Sequence, residues 1–319
     1  MSVKTFDEAK NKIDALRSNI KKVIIGNEKT IDLVITTLVA GGHVLLEDTP
    51  GTGKTTLAKV MASSIDGKFS RIQFTPDLLP ADITGLNIYS QKEDAFTFVE
   101  GPIMTNILLA DEINRATPRT QAALLEAMEE RSVTVDGKSR ELSKPFIVIA
   151  TENPVETTGT FPLPEAQLDR FMVKLTMGDI GVEDEIKILE RFVVESPEKE
   201  VKPVVKAEDI VEASNTIKKV TVNKAVMTYL VNLSDATRNS SKLFSGVSPR
   251  ASLNLMRISQ SFAAISGRDY VTPDDIRYLA PFVYSHRVIT SSGITNLGET
   301  RGIIREIISS IEVPVEDWK

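Results

Sequence analysis

The segment Glu47-Asp48-Thr49-Pro50-Gly51-Thr52-Gly53-Lys54-Thr55-Thr56 sits between an apolar run, His43-Val44-Leu45-Leu46, and a helical pattern, Leu57-Ala58-Lys59-Val60-Met61-Ala62. It reads as a strand, a loop of small residues and a helix, and few folds accommodate that unit. Such a loop lets successive backbone N–H groups converge on an anion, and the helix N-terminus adds its dipole. Gly51 and Gly53 allow the close approach that a triphosphate tail needs. Lys54 is a point charge for the β- and γ-phosphates, and the hydroxyl of Thr55 is a ligand for Mg2+. The spacing matches G-x-x-x-x-G-K-[ST] except at its first position, where Asp48 replaces glycine. A carboxylate about 10 Å from a phosphate charge, at an effective dielectric of about 20, costs roughly 1.7 kcal/mol. That weakens binding without forbidding it, and a side chain turned away would instead accept loop N–H bonds. The nucleotide-binding set read from this segment is Pro50, Gly51, Thr52, Gly53, Lys54, Thr55 and Thr56.

A chain of 319 residues suggests two domains. Its net charge of −6 argues against sequence-independent binding of nucleic acid, which depends on neutralising phosphates. The absence of cysteine excludes disulfides, thiolate metal sites and cysteine nucleophiles. It fits a reducing compartment, so a cytoplasmic location is expected. His43 and His286 stand far apart with no His-x-x-His spacing, which argues against a dedicated transition-metal site. The first 22 residues alternate charged and apolar side chains, so no conventional secretory signal is expected. No run of about 18 apolar residues occurs, so no membrane insertion is expected either.

Taken in order, Phe6, Ile13, Leu16, Ile20 and Val23 fall on one face of a helix that packs on the following domain and ends near Gly26. A second helix is predicted over 28–40, and Ile25 and Gly26 before it either cover an adenine ring or make an ordinary core contact. Ser70 to Thr75 reads as a second strand. After Pro76, Pro80 and Gly85, the runs Leu86-Asn87-Ile88-Tyr89 and Ala95-Phe96-Thr97-Phe98-Val99 form the arms of an inserted hairpin, either functional or decorative. Ile107-Leu108-Leu109-Ala110-Asp111-Glu112 is an apolar strand closing on two acids. The carboxyl ends of parallel strands face the ligand crevice, which puts Asp111 where it can hold Mg2+ through water and Glu112 where it can polarise an attacking water. Thr117-Pro118 opens a helix running to about Glu130.

Asp136-Gly137 is a two-residue hairpin signal, and the charges around it, Arg131, Lys138, Arg140 and Lys144, read as a solvated edge ahead of a contact surface. Phe146 to Thr151 is another strand, and the amide of Asn153 beyond its end can orient water against a γ-phosphate. A short helix then delivers Arg170, taken alone a surface ion-pair partner, to the start of a last strand over 171–177. Beyond Gly178 only helices are predicted, near 182–194, 207–218, 223–238, 249–266, 273–280 and 299–311. The domains therefore divide into an α/β unit, 1–178, and a helical unit, 179–319. Pro249-Arg250 places a fixed cation near a helix start.

Longer runs carry a resemblance. Ala110-Asp111-Glu112-Ile113-Asn114-Arg115-Ala116 and Gln121-Ala122-Ala123-Leu124-Leu125-Glu126-Ala127-Met128-Glu129-Glu130-Arg131 resemble the MoxR family of AAA+ ATPases. So do Arg71-Ile72-Gln73-Phe74-Thr75-Pro76-Asp77-Leu78-Leu79-Pro80 and Pro164-Glu165-Ala166-Gln167-Leu168-Asp169-Arg170-Phe171. The resemblance covers essentially the whole chain, including Ser248-Pro249-Arg250. It implies a P-loop AAA+ α/β fold, with a five-stranded parallel sheet core and a C-terminal all-α lid, assembled as a ring, a hexamer. It also implies that Asn153 is a first sensor, Arg250 a second sensor and Arg170 a finger reaching into a neighbour's site. With Glu112 these make the catalytic set, acting on ATP with Mg2+ at Thr55 and Asp111. The two hairpins match inserts of the clade that holds MoxR proteins and magnesium chelatases.

Family members resemble chaperones that use ATP to mature client complexes or insert cofactors into them, often with partners carrying von Willebrand factor A domains. Two other functions compete with an ATP-hydrolysing chaperone: a DNA motor, and a nucleotide-dependent switch that does not turn over. The acidic balance and the lack of aromatic-basic interleaving on the hairpin count against the motor. Glu112 and Arg170 count against the switch, because a pure binder needs neither.

Overall fold

A computed structural model describes residues 5–47, 51–92, 94–153, 159–178, 181–194, 201–293 and 296–315. Five strands form one parallel sheet: β1 (Val44–Glu47), β2 (Phe69–Gln73), β5 (Ile107–Asp111), β8 (Ile147–Glu152) and β9 (Val173–Leu175), in the spatial order β2-β5-β8-β1-β9. Each central strand, β1, β5 and β8, is apolar until its carboxyl end, as a sheet covered on both faces requires. Alternate residues serve opposite cores. Val44, Leu46, Ile107, Leu109, Ile147 and Ile149 point to one, while Leu45, Leu108, Ala110, Val148 and Ala150 point to the other.

The first core is covered by α1 (Phe6–Lys21), α2 (Glu28–Val39) and α3 (Lys54–Ser64), the second by α4 (Pro80–Thr84) and α5 (Pro118–Glu130). A capping box starts α1: the Glu8 N–H donates to Thr5 Oγ1 (3.2 Å), and the Thr5 N–H donates to Glu8 Oε2 (3.1 Å). Two hairpins stand outside the sheet, β3 (Gly85–Ser90) with β4 (Ala95–Glu100), and β6 (Ser132–Val135) with β7 (Lys138–Glu141). They brace each other, because Asn87 Nδ2 donates to Asp136 Oδ2 at 2.6 Å and the Arg140 guanidinium lies 3.8 Å from the centre of the Phe98 ring. Arg131 departs from the solvated edge expected of it. Its side chain turns inward and donates to the carbonyls of Phe146 (2.6 Å) and Gly41. It occupies the left-handed position that ends α5, where a guanidinium can satisfy carbonyls left open by neighbouring elements.

After α6 (Glu165–Leu168) and β9 come α7 (Val182–Val194), α8 (Ala207–Ile217), α9 (Lys224–Arg238), α10 (Pro249–Ile265), α11 (Pro273–Tyr284) and α12 (Leu297–Ser310). A strand pair absent from the sequence reading, β10 (Leu243–Ser245) with β11 (Ile289–Thr290), joins distant parts of this helical region. Helix α11 runs past the predicted end near 280 to Tyr284, through Pro281. Ala280, Pro281, Val283 and Tyr284 are all buried, and that packing offsets the lost backbone bond.

One apolar cluster joins the N-terminal helices to the helical region: α1 packs most extensively on α8, and Ile13, Leu16, Ile20, Ile210, Ala213, Ile217 and Leu255 share it. The apolar stripe of α1 thus serves the helical region as much as the sheet. No periodicity could have told those partners apart.

Candidate functional site

The sheet order makes β1 the strand flanked by β8 and β9, and the loop leaving it opens at the carboxyl edge, where α/β folds bind ligands. There a cavity of about 350 Å³ is lined by residues 51–56, Arg71, Gln73, Asp111, Glu112, Thr151 and Asn153. Asp48 and Pro50 lie outside the described residues. Gly51 and Gly53 have φ of 89° and 83°, a backbone region that strains an L side chain. A Cβ built on either meets no atom within 4 Å. Conformation, not crowding, therefore calls for glycine, and open space remains beside the loop. Gly53 is the N-cap of α3, so the N-terminal end of that helix, with its dipole, faces the cavity that Lys54 and Thr55 line.

The two acids at the end of β5 differ in their surroundings. Asp111 is 7 % exposed, and its Oδ2 accepts from Arg71 Nε at 2.6 Å. Its Oδ1 accepts from the Thr151 hydroxyl at 3.4 Å, and the oxygen of that hydroxyl accepts the Glu112 N–H at 2.8 Å. Thr151 thereby fixes the two acids relative to each other. Glu112 sits in the left-handed region, φ 56° and ψ 51°, a conformation costing about 1 kcal/mol or more for a non-glycine residue. Its Oε2 accepts from Gln73 Nε2 (2.7 Å) and Arg115 Nη1 (2.9 Å). Arg71, Gln73 and Thr151 escaped the sequence reading. Arg71 and Gln73 alternate along β2, and the register pairs Gln73 with Asp111, but that proximity exists only once β2 is known to flank β5.

Lys174 braces the same edge from β9, with its Nζ 2.6 Å from Glu47 and 3.2 Å from Glu152. Burial works to lower its pKa, but Glu152 and Glu47 outweigh it and the net direction is up. Ile25 and Gly26 occupy the turn between α1 and α2, with Gly26 at φ 75°, and they do not line the cavity.

Arg170 and Arg250 are brought together, but elsewhere. They line a second cavity, of about 500 Å³, between the ends of α2 and α5, the segment 169–172, and helices α8 and α10. Five cations, Arg131, Arg170, Lys218, Arg250 and Arg257, face two carboxylates there, Glu129 and Asp169. Glu129 takes both arginines: Arg250 Nη2 donates to Oε1 at 2.5 Å and Arg170 Nε lies 3.2 Å from Oε2. His43 also lines this space. Its Nδ1 accepts the Val148 N–H at 2.9 Å, so Nε2 carries the proton and donates to the Met128 carbonyl at 3.2 Å. Burial, and secondarily the charge of Arg131, hold its pKa well below the ordinary histidine value, and the ring is neutral.

Two family models match the chain: the ATPase family associated with various cellular activities (AAA), over residues 43–173, and the AAA lid domain, over residues 235–307. The chain is 47 % identical over 299 residues to Uncharacterized protein YeaC of Bacillus subtilis, covering 93 % of each. It is 38 % identical to Chaperone MoxR1 of Mycobacterium tuberculosis, over 92 % of this chain and 80 % of that one, and 31 % identical to Protein MoxR of Paracoccus denitrificans, over 84 % and 86 %. The crystal structure of a candidate ATPase from Cytophaga hutchinsonii superposes with a TM-score of 0.89 at 37 % identity, covering 97 % of both chains. The parallel sheet and the helical lid accord with these relatives, and the chain belongs to the MoxR family of AAA+ ATPases.

Proposed function

We propose that the protein hydrolyses ATP to ADP and phosphate with Mg2+, as a hexameric ring, and uses the cycle to remodel or mature client protein complexes. The observation that carries this reading is the separation of the site into two parts. The phosphate loop, Asp111, Glu112 and Asn153 line one cavity, while Arg170 and Arg250 line another in the same chain. A ring brings the second part of one subunit to the first part of the next.

The donor set suits Mg2+. The Thr55 hydroxyl and the Asp111 carboxylate are hard oxygen donors on one cavity, and Mg2+ is normally held by one or two such groups together with substrate phosphates. When bound, Mg2+ neutralises charge that develops on the phosphates. The loop N–H groups and Lys54 bind and orient the triphosphate. Glu112 polarises a water whose oxygen bonds to the γ-phosphorus as the bond to the β–γ bridging oxygen breaks. Asn153 orients that water, and a neighbour's Arg170, with Arg250, stabilises the charge on the departing phosphate.

Chaperone activity is read from the relatives named for it, and partners with von Willebrand factor A domains belong to the same reading. Among the described residues no helix is long and apolar enough to cross a membrane, which accords with a cytoplasmic protein. Glu112→Gln tests the mechanism. It keeps every binding group and removes the water-polarising carboxylate, so ATP should bind and persist while turnover falls about 100-fold or more. Sedimentation with ATP should then show a stable assembly. Turnover at the unmodified rate removes Glu112 from the mechanism.

A further inference from the structure

Arg287 lies in the single 3-10 turn Ser285–Arg287 that follows α11, inside the lid. Its side chain is 2 % exposed. A guanidinium does not shed its charge, so burial this complete requires an ion pair and a full set of acceptors. Nearly all of them come from one place. Nε donates to Asp169 Oδ1 at 2.6 Å, Nη2 to the carbonyls of Asp169 (2.9 Å) and Phe171 (2.6 Å), and Nη1 to the carbonyl of Met172 (3.2 Å). The remaining acceptor is the Val283 carbonyl of the preceding helix α11. Beside it, His286 Nε2 donates to the same Phe171 carbonyl at 3.0 Å.

These acceptors flank Arg170. The segment has little secondary structure of its own to fix it: α6 spans four residues, and the Arg170 N–H reaches only the Gln167 carbonyl, at 3.2 Å. The contacts continue outward. Asp169 Oδ2 lies 3.8 Å from Arg250 Nε, and Arg250 and Arg170 meet on Glu129. Arg287, Asp169, Arg250, Glu129 and Arg170 thus form one connected chain of charges from the lid to the finger.

We propose that Arg287 is a positioning residue of the shared active site: from the lid it fixes the backbone at 169–172 and so sets where Arg170 is presented to the neighbouring subunit's nucleotide. The proposal rests on the reading of Arg170 as a finger acting between subunits. The alternative is that Arg287 merely staples lid to core. A staple predicts general damage, including to the chain's own phosphate loop. A positioning residue predicts loss of the donated finger alone.

The test uses the full chain with Arg287→Lys, which keeps the charge but cannot reproduce a fork of planar donors. ATP affinity and KM should stay close to the unmodified values while kcat falls about 100-fold, the cost of a displacement near 1 Å. Mixed assemblies then separate the roles. Lys54→Ala subunits carry an intact Arg170 and Arg287, so mixing them with Arg287→Lys subunits should restore turnover. Mixing Arg287→Lys with Arg170→Ala should restore none, because neither subunit donates a placed finger.

An unchanged kcat, a parallel loss of ATP affinity, or no recovery with Lys54→Ala overturns the proposal. The control mixture, Arg170→Ala with Lys54→Ala, locates the failure. Recovery there without recovery for Arg287→Lys condemns the positioning role alone, and no recovery in either condemns the finger reading and the proposal with it. Should Arg287→Lys not fold, Asp169→Asn removes the charged acceptor at nearly constant shape. It should give the same pattern with a smaller loss.

Discussion

The two cavities hold their charges in different ways. Around the phosphate loop the functional groups are set by the sheet itself: backbone N–H groups at the start of α3, and two acids at the end of β5 whose geometry Thr151 fixes. Arg71, which lines this cavity, and Arg115, beside it, are each engaged by one of those acids. In the second cavity five cations outnumber two carboxylates, and the finger segment is held from the lid. One cavity can bind a triphosphate and polarise water, and the other offers positive charge in excess of its own acids. On the proposed reading each chain carries complementary halves of a site, and substitutions in the two regions should fail in different ways.

The largest effect expected is in the second region. Arg170→Ala should lower turnover by about 10³-fold or more, the contribution of an arginine finger in phosphoryl transfer, with ATP affinity nearly unchanged. Phosphate release and calorimetry on one preparation check both halves of that statement. A matching loss of affinity would erase the distinction between the cavities. In the first region, Lys54→Ala removes a point charge that faces two phosphates. ATP affinity should fall about 100-fold, and an unchanged affinity by calorimetry would remove the phosphate-loop assignment.

A smaller effect concerns acid. His43 lines the second cavity and His286 anchors the finger segment, and burial leaves both rings neutral with pKa values well below the ordinary one. Below about pH 6.5 the unfolded chain takes up protons at both positions while the folded chain does not, so stability that is complete above that value is lost as pH falls. The chain should therefore be measurably less stable at pH 5 than at pH 7, with both histidines contributing to the loss. Urea midpoints at pH 7 and pH 5 measure it. A midpoint independent of pH across that range contradicts the buried, neutral assignment of the two histidines.

The phosphate-loop half of the site was legible in the sequence because its parts are local. Glycines at 51 and 53, a lysine and a threonine at fixed spacing, and a strand ending in two acids carry their meaning within a few residues. The central strands of the sheet could be read for the same reason, since β1, β5 and β8 each begin as a continuous apolar run. The second half was legible only through the family resemblance. Arg170 and Arg250 are 80 positions apart, and Arg287, more than a hundred residues from Asp169, bears no mark that separates it from a surface arginine. Gln73 and Arg71 were hidden because strand order is not encoded in β2 itself. Arg131 was misjudged because its inward turn depends on carbonyls of Gly41 and Phe146 that only tertiary packing brings near.

The claim that each chain holds two complementary halves is tested most directly by mixing Lys54→Ala with Arg170→Ala. Neither should hydrolyse ATP appreciably alone. In a mixed assembly a Lys54→Ala subunit still donates its own Arg170 to an Arg170→Ala neighbour whose phosphate loop is intact, so turnover should return on mixing. If subunit exchange is shown independently and turnover stays at the level of the separate variants, Arg170 serves its own subunit or all sites must act together, and the division of the site between two chains is contradicted.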